Sequence, residues 1–286
     1  MNKINKTSWF LLLLLAIIWG SSFILMKEGL KHFNSFEVAS LRIALAGISL
    51  LPFVKWKNLN IKKKDIIYFF ISGFIGSAIP AFLFTAAQTK IPSSLAGALN
   101  GLTPLFALLV GVLFIGIKLN RYKLIGGVVG LVGAFILVIN QEFEFSLGHT
   151  FLIILATLCY GINVNIIKYK LGHYPPLLVA AVPLAIIASA GVIILCFLNF
   201  SIDFNSIEES KSLIAIVLLA VIGTAVSLIL FNKLIQKTNV VFASSVTYLI
   251  PIVALFWGVL DKEPIGLNQL LGMFAIILAI WLIRKK

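Results

Sequence analysis

Long apolar runs alternate with short charged interruptions along the whole chain. Residues 7–26, 66–89, 91–117, 124–141, 145–167, 171–202, 212–232, 238–260 and 264–283 carry no charged side chain. A helix that crosses a bilayer takes about 20 mainly apolar residues, and nearly every run reaches that length. A further candidate, 36–54, has Glu37 near its start and Arg42 inside it, and the run 171–202 reads as a helix over 176–198 flanked by loop. The pattern predicts ten spans. Each is expected to be helical, because hydrocarbon offers backbone N–H and C=O groups no water and an open strand would leave them unpaired.

Composition sharpens this picture. Hydrophobic residues make up 60% of the chain and charged residues 12%, against about 25% charged in ordinary soluble domains. The mean hydropathy is +1.09. A net charge of +13 would suggest nucleic-acid binding in a soluble protein, but here the placement of charge matters more. With the N-terminus inside, only Lys27, Lys31, Arg42, Lys90, Lys211 and Lys262 of the basic residues fall on the external side, and only Asp65 of the acids falls on the internal side. Lys and Arg set orientation. Both termini are therefore expected in the cytoplasm, with the chain in a bacterial cytoplasmic membrane and no nucleic acid as partner. Cys159 and Cys196 lie in predicted spans and read as packing residues, not as a disulfide or metal site. The first apolar run lacks a small-residue cleavage pattern and reads as a retained span.

The chain also repeats itself. At a shift of 141, Trp19 falls on Tyr160, Gly20 on Gly161 and Lys27 on Lys168. At 147, Ile75-Gly76 falls on Ile222-Gly223, Phe84 on Phe231, Lys90 on Lys237, Pro104 on Pro251, and Gly111-Val112-Leu113 on Gly258-Val259-Leu260. The linker "NFSIDFNSIEESKS" accounts for the change of shift. Residues 1–140 and 141–286 thus read as two five-span units. An odd number of spans inverts the second unit in the membrane, so Lys27 ends its span outside and Lys168 ends its span inside. Inverted repeats place a substrate site near the midplane and support alternating access.

"AIIWGSSFILMK", "SLRIALAGISLLP", "NGLTPLFALLVGVLFIG" and "TYLIPIVALFWGVLDKEPIGLNQLLG" resemble EamA-type members of the drug/metabolite transporter superfamily. The resemblance runs over essentially the whole chain. It implies ten helices, cytoplasmic termini, a central cavity between the halves and movement of small metabolites, commonly outward. The family repeat usually has a Glu just after its fourth helix; Glu263 fills that place in the second unit and Ile117 in the first.

Polar residues inside spans are the candidates for a cavity wall, since lipid offers them no partner. Trp19 lies near the middle of its span with Ser21 and Ser22 beside it, away from the interfaces where Trp gathers. Tyr160, Asn163 and Asn165 follow the same pattern in the sixth span. Asn100 and Thr103 occupy the fourth, Thr224 and Ser227 the eighth, and Ser244, Thr247 and Tyr248 the ninth. Helix-to-helix packing and hydrogen bonding compete with substrate contact at every one of these positions. Pro104 and Pro251, repeat mates inside spans four and nine, are candidate hinges or static kinks. Arg42 is the charge well inside a span, poised to contact substrate, to gate, or to pair with Glu28 or Glu37.

No acid lies mid-span to relay protons, no nucleotide loop or soluble ATP-binding unit is evident, and no His/Cys/acid cluster has metal spacing. The expectation is a secondary transporter or permease for small organic metabolites such as amino acids, without cofactor, metal or catalytic activity. An intramembrane enzyme acting on a lipid-borne substrate and a nonselective pore are the alternatives. Substrate identity, coupling ion and oligomeric state are not legible in the sequence.

Overall fold

A computed structural model describes residues 6–56, 59–116, 121–138, 147–238, 240–262 and 266–284. Among these the secondary structure is helical throughout, with no strand. Helix α1 spans Lys6–Gly29 and α2 Ser35–Leu50, the latter started by a capping box in which Asn34 Oδ1 accepts from Phe36 N and Glu37 N and Glu37 Oε2 accepts from Asn34 N. Next come α3 (Ile66–Gly73) and α4 (Ile79–Gln88), joined by a π-helical turn over Phe74–Ala78. Helices α5 (Ser93–Asn100), α6 (Thr103–Ile115) and α7 (Arg121–Val138) follow. Beyond residue 147 lie α8 (Leu147–Ile166, continued by a π turn over Ile167–Leu171), α9 (Pro176–Phe197) and α10 (Ile207–Ala220). A π turn over Val221–Val226 leads into α11 (Ser227–Lys237), and α12 (Val240–Ser244), α13 (Ile250–Leu260) and α14 (Leu267–Arg284) complete the chain.

Seven helical runs among the described residues are long and apolar enough to cross a membrane: 6–29, 35–53, 63–88, 93–115, 147–171, 176–197 and 207–237. Ile250–Leu260 and Leu270–Ala279 are shorter apolar helices. The outer surface suits lipid. On α1, Leu11, Leu12, Leu15 and Ala16 are buried, while Trp9, Phe10, Leu13 and Ile17 face outward. Trp9, Trp56 and Trp281 are likewise exposed.

Small residues let the helices close on each other. Helices α2 and α9 meet at Gly47 and Gly191, where an added Cβ would lie 2.4 Å from Leu184 O and 2.8 Å from Ser40 O respectively. Helix α14 packs along α7, and Gly130 opens onto Leu105 and Ala279.

Contacts at the helix ends fall into two groups. At the C-terminal end of α1, Lys27 pairs with Asp261, Ser212 Oγ donates to Glu28 O at 2.8 Å, and His32 Nδ1 lies 3.0 Å from Ser212 Oγ. At the other end of α1, Trp9 meets Phe242 with ring centroids 5.2 Å apart. There Lys168 Nζ caps two carbonyls, Ile235 O at 2.9 Å and Thr238 O at 2.8 Å, and Gln236 Nε2 donates to Tyr174 O at 2.7 Å. Tyr174 in turn donates to Asp65 Oδ2 at 2.8 Å and accepts from Lys62 N at 3.1 Å. With α1 24 residues long, about 36 Å at 1.5 Å per residue, Lys27 and Lys168 sit at opposite ends of the bundle.

Pro104 and Pro251 differ from their expected place inside continuous helices. The chain tightens just before each: Gly101 N and Leu102 N bond Ala98 O and Leu99 O at 3.0 Å, and Ser245–Tyr248 forms a 3₁₀ turn. Each proline is then the second residue of a new helix, α6 or α13. There the missing N–H leaves no helical hydrogen bond unmade. Pro183 is the proline inside a helix, α9.

Candidate functional site

Between the helices lies a cavity enclosing about 100 Å³. Nine of the candidate residues surround it: Trp19, Ser22, Arg42, Asn100, Thr103, Tyr160, Asn163, Thr224 and Thr247. Trp19 donates its indole N–H to Gly223 O at 3.1 Å and to Ser227 Oγ at 2.9 Å, and its ring meets Phe231 edge-on at 4.9 Å. Tyr160 stacks against Phe84 at 6.0 Å. Arg42 Nε donates to Thr224 Oγ1 at 2.9 Å, and the guanidinium faces the Tyr160 hydroxyl.

The expected carboxylate partners of Arg42 are occupied elsewhere. Glu28 pairs with Lys31 and Glu37 closes the capping box of α2. Among the described residues no Asp or Glu lines the cavity.

Other candidates stand off the cavity wall, each with a polar group held in a helix contact. Ser21 Oγ accepts from Trp257 Nε1 at 2.8 Å. Asn165 Nδ2 donates to Ala107 O and Gly161 O, each at 2.9 Å. Ser227 sits behind Trp19 and donates to Gly223 O at 2.7 Å, and Ser244 Oγ donates to Val240 O at 2.7 Å within its own helix. The side chain of Tyr248, like residues Glu263 and Ile117, lies outside the described residues.

The wall has a pattern. Residues 141 apart line it together: Trp19 with Tyr160, Ser22 with Asn163, Phe23 with Val164, and Met26 with Ile167. So do residues 147 apart: Gly76 with Gly223, Ser77 with Thr224, Phe84 with Phe231, and Asn100 with Thr247. The contacts cross over. Trp19 meets Phe231 while Tyr160 meets Phe84, and a Cβ on Gly223 would lie 2.8 Å from Ser22 Oγ while one on Gly76 would lie 2.0 Å from Asn163 Nδ2. Both glycines fall in π turns, a distortion that often marks functional sites. Gly76, Gly223, Phe84 and Phe231, which the sequence offers only as repeat markers, also line the wall. Their match in order was the signal that could have placed them there.

Fold and cavity together define a multi-pass helical membrane protein with a polar and aromatic chamber between its helices. A model of the EamA-like transporter family matches residues 6–139 and again 148–285, and the chain belongs to that family. It is 24% identical over 280 residues to a transporter of Archaeoglobus fulgidus, covering 97% of this chain and 99% of that one. It is 23% identical over 291 residues to a Salmonella typhimurium protein named "Probable amino-acid metabolite efflux pump", covering 97% of this chain and 95% of the other. A solved crystal structure has the same fold, with a TM-score of 0.68, 14% identity and coverage of 97% of this chain and 96% of that one.

Proposed function

We propose that this transporter moves small organic metabolites, amino acids or related compounds, out across the cytoplasmic membrane by alternating access. Ten spans form two inverted five-helix halves, residues 1–140 and 141–286, with both termini in the cytoplasm and no part in catalysis. The observation that carries this reading is the cavity wall, composed largely of pairs one repeat apart that cross over between the halves. The double family match and the opposite placement of Lys27 and Lys168 support it. The printed name of the Salmonella relative supports amino-acid metabolites as the class and efflux as the direction.

In the proposed cycle the α1 and α8 faces rock against the π turns of the opposite half, with Trp19 and Tyr160 as the aromatic contacts that exchange. The 3₁₀ turns before Pro104 and Pro251 are the hinges, since a loosened turn absorbs backbone rotation at less cost than an intact helix. Flux in proteoliposomes tests the reading. Uptake or counterflow of amino acids or their derivatives above empty liposomes is expected, and its absence across the whole set would overturn it. Equal passage of inorganic ions would favour a pore instead.

A further inference from the structure

We propose that the cavity selects carboxylates bearing an uncharged N–H or O–H group, such as N-acyl amino acids or hydroxy acids, over free amino acids and amines, with Arg42 as the specificity-determining residue. The proposal rests on the transport reading above and narrows its substrate class.

Arg42 is the charged residue on the wall, and it breaks the pairing seen around it. Eight pairs of repeat mates line the cavity, yet no residue of the corresponding second-half helix α9 does so. A guanidinium has five N–H donors in a planar fork. Nε goes to Thr224 Oγ1 and the Tyr160 hydroxyl faces the group, which leaves donors for an oxyanion. A lone cation in a site walled by Phe23, Met26, Phe84 and Phe231 costs desolvation energy that an entering carboxylate offsets, in the bidentate geometry guanidinium favours. An ammonium group meets the opposite situation. No Asp or Glu among the described residues lines the cavity to receive it, and Arg42 repels it.

A second observation bears on the other end of the ligand. Asn163 Oδ1 is buried without a hydrogen-bond partner, and Asn163 is on the same wall. A buried acceptor left unpaired costs free energy, and an N–H or O–H on the ligand satisfies it without bringing in a positive charge. The aromatic side chains then hold an apolar body between the two polar ends.

The test supplies the reconstituted protein with the twenty amino acids, their N-acetyl forms and their amides together at neutral pH, and reads lumenal content by mass spectrometry. N-acetyl acids entering fastest, free amino acids more slowly and amides least is the expected ranking. R42Q removes the charge and is expected to reduce the preference for acids over amides by about tenfold or more, the range of one hydrogen bond to a charged group. R42K keeps the charge without the fork and is expected to retain part of the preference. Amides carried as fast as acids, free amino acids entering as fast as their N-acetyl forms, or a ranking unchanged in R42Q would overturn the proposed selection and leave the transport reading standing. No flux of any of the three sets would overturn both. If R42Q fails to fold, the wild-type ranking and R42K decide the matter.

Discussion

Hydrocarbon gives an indole N–H few places to go, and Trp19 spends it on Gly223 O and Ser227 Oγ. W19F keeps a ring against Phe231 and removes that donor. The expected result is lower flux together with a loss of about 1 kcal/mol of stability, the net worth of a typical hydrogen bond, read by thermal unfolding in detergent. Flux falling by more than tenfold with unchanged stability would mark the indole as part of the transport cycle. Tyr174 offers a separate test at the other end of α1. The residue is 6% exposed, and its hydroxyl donates to Asp65 Oδ2 and accepts from Lys62 N. Burial, aided by Asp65, pushes its pKa above the ordinary 10.0. A raised folded-state pKa means the stabilisation is complete below about pH 10, the unfolded value, and drains away as pH rises through the higher folded value. Wild type should therefore lose stability on that alkaline limb, and Y174F should be less stable at neutral pH with a flatter limb above pH 10. Identical limbs would show that Tyr174 stays exposed to solvent.

Among the helices, packing is decided by where a single methyl group fits. A Cβ at Gly47 would meet the Leu184 carbonyl at 2.4 Å, and backbone cannot step aside as a side chain can. G47A should destabilise the protein by about 1–3 kcal/mol through overpacking. Gly127 on α7 has nothing within 4 Å, so G127A should stabilise it by up to about 1 kcal/mol through helix propensity. Comparing the two melting temperatures checks both directions at once. The hinges belong to this scale too. P104A and P251A allow the 3₁₀ turns to merge into longer helices, and the double variant should transport more slowly while melting no lower; unchanged flux would argue that the turns are static. Sequence pattern locates most helices closely because charge or loop residues bound each apolar run, as with α9 (Pro176–Phe197), expected over 176–198 between flanking loops. It missed the breaks inside runs. The π turns at Phe74–Ala78 and Val221–Val226 keep helical residues and apolar periodicity, and nothing in hydropathy separates them from regular helix. The same limit applied to side chains: Asn163 and Asn165 sit two residues apart in one apolar stretch, yet one faces the cavity and the other bonds Ala107 O. Only packing decides which way each turns. Trp257, whose N–H reaches Ser21 across 236 residues of sequence, carried no local signal at all.

For the whole molecule, alternating access requires the two ends of the bundle to open in turn. In the present conformation Lys27 and Asp261 join α1 to the end of α13, which makes that end accessible to engineering. The most direct measurement is flux through K27C/D261C, in a background with Cys159 and Cys196 replaced, before and after treatment with a short thiol-reactive cross-linker. A K31C/E28C variant, linked within a single segment, controls for the chemistry. The prediction is that cross-linking the α1–α13 pair stops flux while the control continues. Transport at full rate with the α1–α13 pair covalently closed would contradict the account.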